Sequence, residues 1–489
     1  MRLPYNSIIE KTLHKFMLEF KKLTTEDVIN NIEFFKKCKI HISDYSAAFK
    51  VMWQHYYTEY YAVAEGCLIF KEYYQGRTYF HYPLSLTGDK VSESKALDAI
   101  EDYCKQNNVR LHYTSIPAET ISEFIARYGY EVIINNKRRW RDYLYNAQDF
   151  VEFSGKKFSG QRNHLNKFKK LYPDYQFVAL TSADAAEITD FLKEFAERQI
   201  AKGTIIAREE LQSVYALTSL IDALGLKAGG LRVGGKLVSY SVGEICGDQL
   251  IVHVEKALTQ YEGVYATTSH EFATHFVNAE IRYINREDDA GDGGLRKSKL
   301  QYNPVSLVDK YNVIPKRSID GLSHLPDIKC ERVELKEITD IYSDEFFRLE
   351  YDKERNKYWG YYWWEHTSTE PDAEYFMRGI REDFKNKEEI PLGIFFEGAL
   401  IGEAVLHNFG YRNDCEIGVR LLPEAEGNGF AKEALMRLMR YAFLELDIEK
   451  ITAKCYKQNI RSKNTLISAG MRADGEDDTY FYFVKTAAM

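Results

Sequence analysis

With 489 residues, 45% of them apolar and 28% charged, the chain is long enough for two to four packed domains. A formal charge of -8 excludes a nucleic-acid coat protein or a polybasic membrane binder, although local basic clusters can still hold phosphate. No apolar run approaches the roughly 18 residues needed to span a bilayer, and residues 1–16 lack the basic-then-apolar layout of a secretory signal, so a cytoplasmic location is expected.

Taken in chain order, one local pattern recurs three times: two alternating apolar runs joined by a Gly-containing turn, the signature of a β-hairpin. The first is Cys67–Phe70, turn Gln75-Gly76, then Thr78–Tyr82; helix-like Ser94–Asn107, strand-like Arg110–Ser115 and helical Ala118–Tyr128 follow. The second is Leu231–Val233, turn Gly234-Gly235, then Lys236–Tyr240, followed by a helix near Tyr265–Asn278 and a strand Glu280–Asn285. The third is Leu392–Phe396, turn Glu397-Gly398, then Ala399–Val405. It leads to a strand Glu416–Leu422, a helix from about Gly427 to Leu446, a strand Lys450–Tyr456 and a helix Ile460–Ala469. Self-similarity at about 160 residues accounts for the length as three copies of one α/β unit with a mixed sheet. The expected domains are 1–150, 151–320 and 331–489. The clearest boundary is Ile314–Cys330, where Pro315, Gly321 and Pro326 punctuate an aperiodic stretch; a softer one spans Asn146–Gly160.

Seven cysteines are widely spread with no C-x-x-C, so neither a zinc site nor a disulfide framework is expected. The 36 Tyr and 28 Phe suit half-buried sheets and clefts, where a ring packs while its polar tip stays wet. The densest run, Tyr358-Trp-Gly-Tyr-Tyr-Trp-Trp-Glu365, is a candidate wall for an acceptor site or plain core packing.

The chemistry signal lies in Cys415–Leu435. A strand stopped by Pro423 runs into a glycine-rich turn, Glu426-Gly427-Asn428-Gly429-Phe430-Ala431, which opens an amphipathic helix. Unpaired N–H groups at a helix N-terminus bind phosphate, and glycine lets the phosphate approach the backbone. The spacing is not that of a dinucleotide fingerprint. Here the sequence resembles the GNAT superfamily, in its ribosomal-protein and polyamine N-acetyltransferase-like branch. The turn is similar to that family's R/Q-x-x-G-x-G/A loop, with Glu426 where the family has Arg or Gln. Asn459-Ile-Arg-Ser462, Leu466 and Gly470-Met471 resemble its N-x-x-S-x-x-x-L-x-x-x-G-F segment.

The resemblance implies acetyl-CoA as cofactor and direct attack by an amine, from a small molecule or a peptide, on the thioester. It assigns the backbone of Val419, Arg420 and Leu421 to the pantetheine. Gly427, Asn428, Gly429 and Ala431 would then cradle the pyrophosphate, with Asn459 and Ser462 near the thioester end. The bland reading of Asn459 and Ser462 is a helix N-cap pair. Glu416 is the first candidate for the base that takes the amine proton, with Glu403 second. The family's usual Tyr acid aligns with Leu466, so Ser462 or a water has to protonate the leaving thiolate.

Upstream, Ser159-Gly-Gln-Arg162-Asn-His164-Leu-Asn-Lys167-Phe168 and Asn285-Arg286-Glu287-Asp-Asp289…Leu295-Arg296-Lys-Ser-Lys299 resemble a second family. This is the tandem-GNAT C-terminal domain of phosphatidylglycerol lysyltransferases and their soluble relatives, covering about residues 23–313. It implies a two-unit repeat and aminoacyl transfer from tRNA, although this chain lacks the lysyltransferases' membrane domain. Arg162, His164, Lys167, Asn285, Arg286, Glu287, Arg296 and Lys299 become candidates for holding substrate or phosphate. The basic run Lys156, Lys157, Arg162, His164, Lys167, Lys169, Lys170 is a candidate tRNA contact or simply a solvated helix face. In this region Tyr261-Glu-Gly263-Val-Tyr-Ala266 keeps only one loop glycine, which disfavours CoA there. The tandem pair then reads either as an aminoacyl-tRNA-dependent transferase or as a non-catalytic binding module.

Overall fold

The computed structural model describes residues 18–107, 109–129, 132–201, 208–360, 362–367 and 370–487. Residues 1–16 and Tyr361, on which parts of the sequence reading fall, lie outside the described residues. Among the described residues three eight-stranded sheets, each mixing parallel and antiparallel pairs, carry the fold. This is the mixed α/β architecture of three GNAT-like units. The hairpins form where expected because both turn residues adopt positive φ: Gln75 and Gly76 at 49° and 78°, Gly234 and Gly235 at 56° and 77°, Glu397 and Gly398 at 49° and 84°. Such turns match the strand twist.

The first two units are interlocked. Helix α1 (Lys90–Gln106) belongs to the first, but strand β1 (Asp142–Asn146), on the near side of the boundary expected at residue 150, pairs with Tyr283–Asn285 and Ser306–Val308 in the second sheet. Helix α2 (Ser159–Leu171) belongs to the second unit, whereas strand β2 (Lys310–Ile314) returns to the first sheet, between Tyr113–Pro117 and Ile133–Asn136. The exchange brings fully buried Asp142 of β1 to within 2.8 Å of Lys310 Nζ of β2. Lys310 also bonds Asp44, and the two ends of the pair are thereby tied by charges that need one another.

In the third unit helix α3 (Ser343–Tyr351) covers one sheet face, packing Phe346 and Leu349 with Phe395 and Leu400. Strands β3 (Ala399–His407) and β4 (Asp414–Leu421) are antiparallel neighbours. Helix α4 (Phe430–Glu445) covers the opposite face. Its Phe430, Ala434, Leu435, Leu438, Met439 and Ala442 recur at helical spacing and bury against Cys415 and Ile417 of β4. Strand β5 (Lys450–Tyr456) and helix α5 (Ile460–Ser468) complete the unit. Among the described residues no helix is long and apolar enough to cross a membrane, and all seven cysteines are free thiols, six of them buried.

Candidate functional site

Strands β4 and β5 pair in parallel only at Asp414–Lys450, Cys415–Ile451 and Glu416–Thr452. Beyond Glu416 the ladder ends, although β4 runs on to Leu421 and β5 to Tyr456. The two strands part, and among the described residues no strand pairs with Val419 on that side. Such a gap accepts an extended polar chain.

At the end of β4 the chain turns through Gly427 (φ 80°) and Gly429 (φ 79°) into α4. The helix therefore starts at Phe430, later than the apolar periodicity suggests. Gly429 is the N-cap without a side-chain cap, and the first intrahelical bond runs from Glu433 N to Gly429 O at 3.1 Å. The N–H groups ahead of it point out of the helix end, with the dipole favouring an anion there. Two arginines that sequence reasoning missed converge on this turn. Arg332 donates to the Asn428 carbonyl at 2.9 Å and to Glu433 at 2.9 Å, with its guanidinium 4.9 Å from the Phe430 ring. Arg461, the third residue of the Asn459 segment, holds Glu426 at 2.6 Å. The acid that stands where the related loops carry Arg or Gln is thus neutralised by a neighbour from α5. Neither arginine was legible, because each is brought in from a distant segment.

Glu416 sits at the last paired position, facing away from α4. Its carboxylate accepts from Asn408 Nδ2 at 2.9 Å and lies 3.6 Å from Lys454 Nζ and 4.0 Å from His407 Nε2. Burial raises its pKa, but His407, Lys454, Asn408 and Lys105 together outweigh burial and hold the carboxyl below its ordinary value. Burial pushes the His407 imidazole down, so near pH 7 the positive charges around Glu416 are lysines. Glu403 is placed differently: it is buried and accepts from Arg420 Nε at 3.0 Å and Nη2 at 2.7 Å. A carboxylate committed to a guanidinium is a poor proton acceptor.

The Arg420 side chain also bonds Glu350 and Asn356, and Trp359 lies 4.5 Å over its guanidinium. A Cβ on Gly418 would meet Trp359 at 3.0 Å, so glycine lets the indole lie directly on β4 at the mouth of the gap. Tyr358 and Tyr362 approach Tyr456 of β5, with 3.5 Å between the Tyr362 and Tyr456 hydroxyls. Within the aromatic run Trp363 is core, stacked on Tyr351, which is the packing reading, while Tyr358 and Tyr362 lie against Tyr456 of β5. Asn459 accepts from Ser462 N at 3.1 Å as the N-cap of α5. Burial pushes the Cys455 thiol up, against the opposing pull of Ser462 beside it, and Leu466 is buried among apolar neighbours.

The tandem-pair candidates fall into separate groups. On α2, Arg162 donates to the carbonyls of Phe153 and Gly155, and Lys167 pairs with Glu262 at 2.5 Å. Lys157 and Lys169 also face acids, Asp149 and Glu271. Three lysines of the exposed basic run are thus paired with acids. The His164 carbonyl lies where a Cβ on Gly263 would be, 2.3 Å away, so α2 covers the N-terminus of helix Val264–Phe276 and closes the place equivalent to the third unit's glycine turn.

The Asn285–Lys299 motif builds a buried network. Asn285 bonds the His41 carbonyl and Asp142, and Arg286 pairs with Glu255 at 2.9 Å. Glu287 pairs with His253 at 2.8 Å. Arg296, with Arg138, holds Asp289, and Lys299 donates to the carbonyls of residues 286–288. Glu59, Glu72 and His81 offer ligand atoms within 4.8 Å of one another, but Lys50 Nζ is 2.6 Å from Glu59 and already supplies the positive charge.

Residues 332–472 match the acetyltransferase (GNAT) domain family, and residues 35–314 match the family described as phosphatidylglycerol lysyltransferase, C-terminal. The uncharacterized N-acetyltransferase YnaD of Bacillus subtilis (strain 168) is 33% identical over 107 residues, 22% of this chain and 62% of that protein. The chain therefore spans less than two thirds of the length of YnaD. The uncharacterized N-acetyltransferase YoaA of the same organism is 26% identical over 160 residues, 32% of this chain and 89% of its own. A crystal structure of a conserved protein of unknown function from Bacteroides thetaiotaomicron VPI-5482 superposes with a TM-score of 0.57 at 29% identity, covering 61% of this chain and all of that one. The chain belongs to the phosphatidylglycerol lysyltransferase C-terminal family and carries, after that region, an acetyltransferase domain of the GNAT family.

Proposed function

We propose that the C-terminal unit is an acetyl-CoA-dependent N-acetyltransferase that acylates a primary amine by direct attack. The observation that carries this reading is the gap between β4 and β5, which opens beside Glu416 and leads to the glycine turn at the start of α4. Bound acetyl-CoA supplies the acyl group as a thioester. Backbone groups of Val419, Arg420 and Leu421 line the gap for the pantetheine chain. Gly427, Asn428, Gly429 and Ala431 offer backbone donors to the pyrophosphate, at a turn where Arg461 cancels the charge of Glu426 and Arg332 is paired with Glu433. Glu416 takes the proton of the attacking amine, directly or through a water, and a backbone N–H of β4 stabilises the oxyanion. Leu466 has no proton to give, so the thiol proton comes from Ser462, from Tyr456 at the gap or from solvent. Tyr358, Tyr362 and Tyr456 border the acceptor, where aromatic faces suit a cationic amine before it loses its proton.

Replacing Glu416 with Gln tests the chemistry. Turnover falls while acetyl-CoA affinity is retained, because the amide keeps the shape and loses the basicity. Near-normal turnover would remove Glu416 as the base.

Family membership of residues 35–314 supports a second reading, in which the tandem pair accepts an aminoacyl group from tRNA. The paired state of Lys157, Lys167 and Lys169 weakens the electrostatic footprint such a partner needs. Purification of the full chain at low salt tests this: bound tRNA released by salt supports it, and its absence leaves the pair a binding module.

A further inference from the structure

We infer that the tandem pair positions the carboxylate of the acetyltransferase unit through loop 408–413, which is anchored in the first unit and holds Glu416 at its other end. The inference rests on the reading of Glu416 as the base. Tyr411 leaves its own sheet and is 7% exposed within the core of the first unit, where its hydroxyl accepts from Leu111 N at 2.7 Å. Arg412 donates to Glu101 at 2.9 Å and also bonds Asp98, both acids lying on α1. From the same helix Lys105 reaches Asp414 at 3.1 Å. The loop closes on itself where Gly410 N donates to Asp414 O at 2.8 Å, and a Cβ on Gly410 would lie 1.9 Å from the Asp414 carboxylate, so a larger residue there would displace the side chain that Lys105 holds.

The other end of the loop is Asn408, in a left-handed conformation (φ 52°) that an asparagine tolerates. From that conformation its amide donates to Glu416 Oε2 at 2.9 Å. Adhesion between units explains Tyr411 and Arg412. It does not require the first residue of the docking loop to be aimed at the carboxylate. Asn408 is therefore a positioning residue, and Tyr411 and Arg412 fix where it stands. The titratable and charged groups around Glu416 are His407 on β3, Lys454 on β5, Tyr482 on the last strand, Asp414 on its own strand and Lys105 on α1. One of these comes from the tandem pair.

The test uses the full chain labelled with carbon-13 at the Glu carboxyls, with the Glu416 resonance assigned by its loss in E416Q. Asn408→Ala removes the donor to the ionised form, so the Glu416 titration midpoint rises. The double variant Tyr411→Phe, Arg412→Ala keeps the ring in the core but releases the loop, and the midpoint rises there too. Acetyl-CoA affinity by calorimetry stays within about twofold, since the glycine turn is untouched. A wild-type midpoint in the double variant overturns the inference, and so does a wild-type midpoint in Asn408→Ala. Whether Glu416 is the base is read separately, from the turnover of E416Q.

Discussion

Replacing Gly429 with valine isolates the phosphate-binding reading of the glycine turn. The residue has φ 79°, a conformation that costs an L-residue about 1–2 kcal/mol. That strain appears as a lower melting temperature, by roughly 2–4 °C per kcal/mol for a domain of this size. The effect on binding is separate. A Cβ at position 429 already lies 3.4 Å from Arg332 Nη2, so the valine methyl groups push the guanidinium off the Asn428 carbonyl and stand where phosphate oxygens approach. Losing one or two charge-assisted hydrogen bonds, each worth about 1.5–3 kcal/mol, weakens acetyl-CoA by roughly tenfold to twenty thousandfold. Calorimetric titration of acetyl-CoA into the full chain, beside a thermal melt, separates the two effects. Wild-type affinity in a folded variant would refute the placement of the pyrophosphate at this helix end.

Lys454→Met removes a positive charge 3.6 Å from Glu416 and raises the carboxyl's pKa, which is held low in the folded protein. The base works ionised, so the acidic limb of the pH–rate profile moves to higher pH; an unmoved limb separates Glu416 from the rate. Lys310→Ala leaves Asp44, held at about 2 by Lys310 against the upward push of its burial, beside Asp142 with no cation between them. Denaturant unfolding then registers a loss of about 3–5 kcal/mol. Because the depressed Asp44 contributes stability above its unfolded pKa and loses it as pH falls through the folded value, the deficit shrinks toward pH 2. Tyr456→Phe tests the proton return to the thiol: a fall in turnover with unchanged acetyl-CoA affinity is expected if its hydroxyl is the donor, and normal turnover leaves Ser462 or solvent.

The local elements were legible because they are written in neighbouring residues. Alternating apolar runs around Gln75-Gly76 and Glu397-Gly398 specify hairpins, since the glycine in each turn takes the required positive φ without strain. The pair Gly427 and Gly429 marks a helix entrance that nothing larger would leave open. The Asn285–Lys299 motif was legible as a polar cluster, but its partners were not: Asn285, Arg286 and Glu287 bond Asp142, Glu255 and His253 from other elements, while Arg296 pairs with Asp289 inside the motif.

What the sequence by itself determined, then, was three mixed α/β units and a glycine turn at the end of a strand. Tertiary structure alone decided that β1 and β2 exchange sheets, since hydrophobic alternation says which face a strand buries but not which strand it joins. It also decided that Arg461 compensates Glu426 while Arg332 ties Glu433 to the Asn428 carbonyl, and that Arg420 is consumed by Glu350 and Glu403. Only folding places Tyr411 against Leu111, three hundred residues earlier in the chain. Charges and cores act through distance in space, and pairings across hundreds of residues leave no periodic trace in the chain.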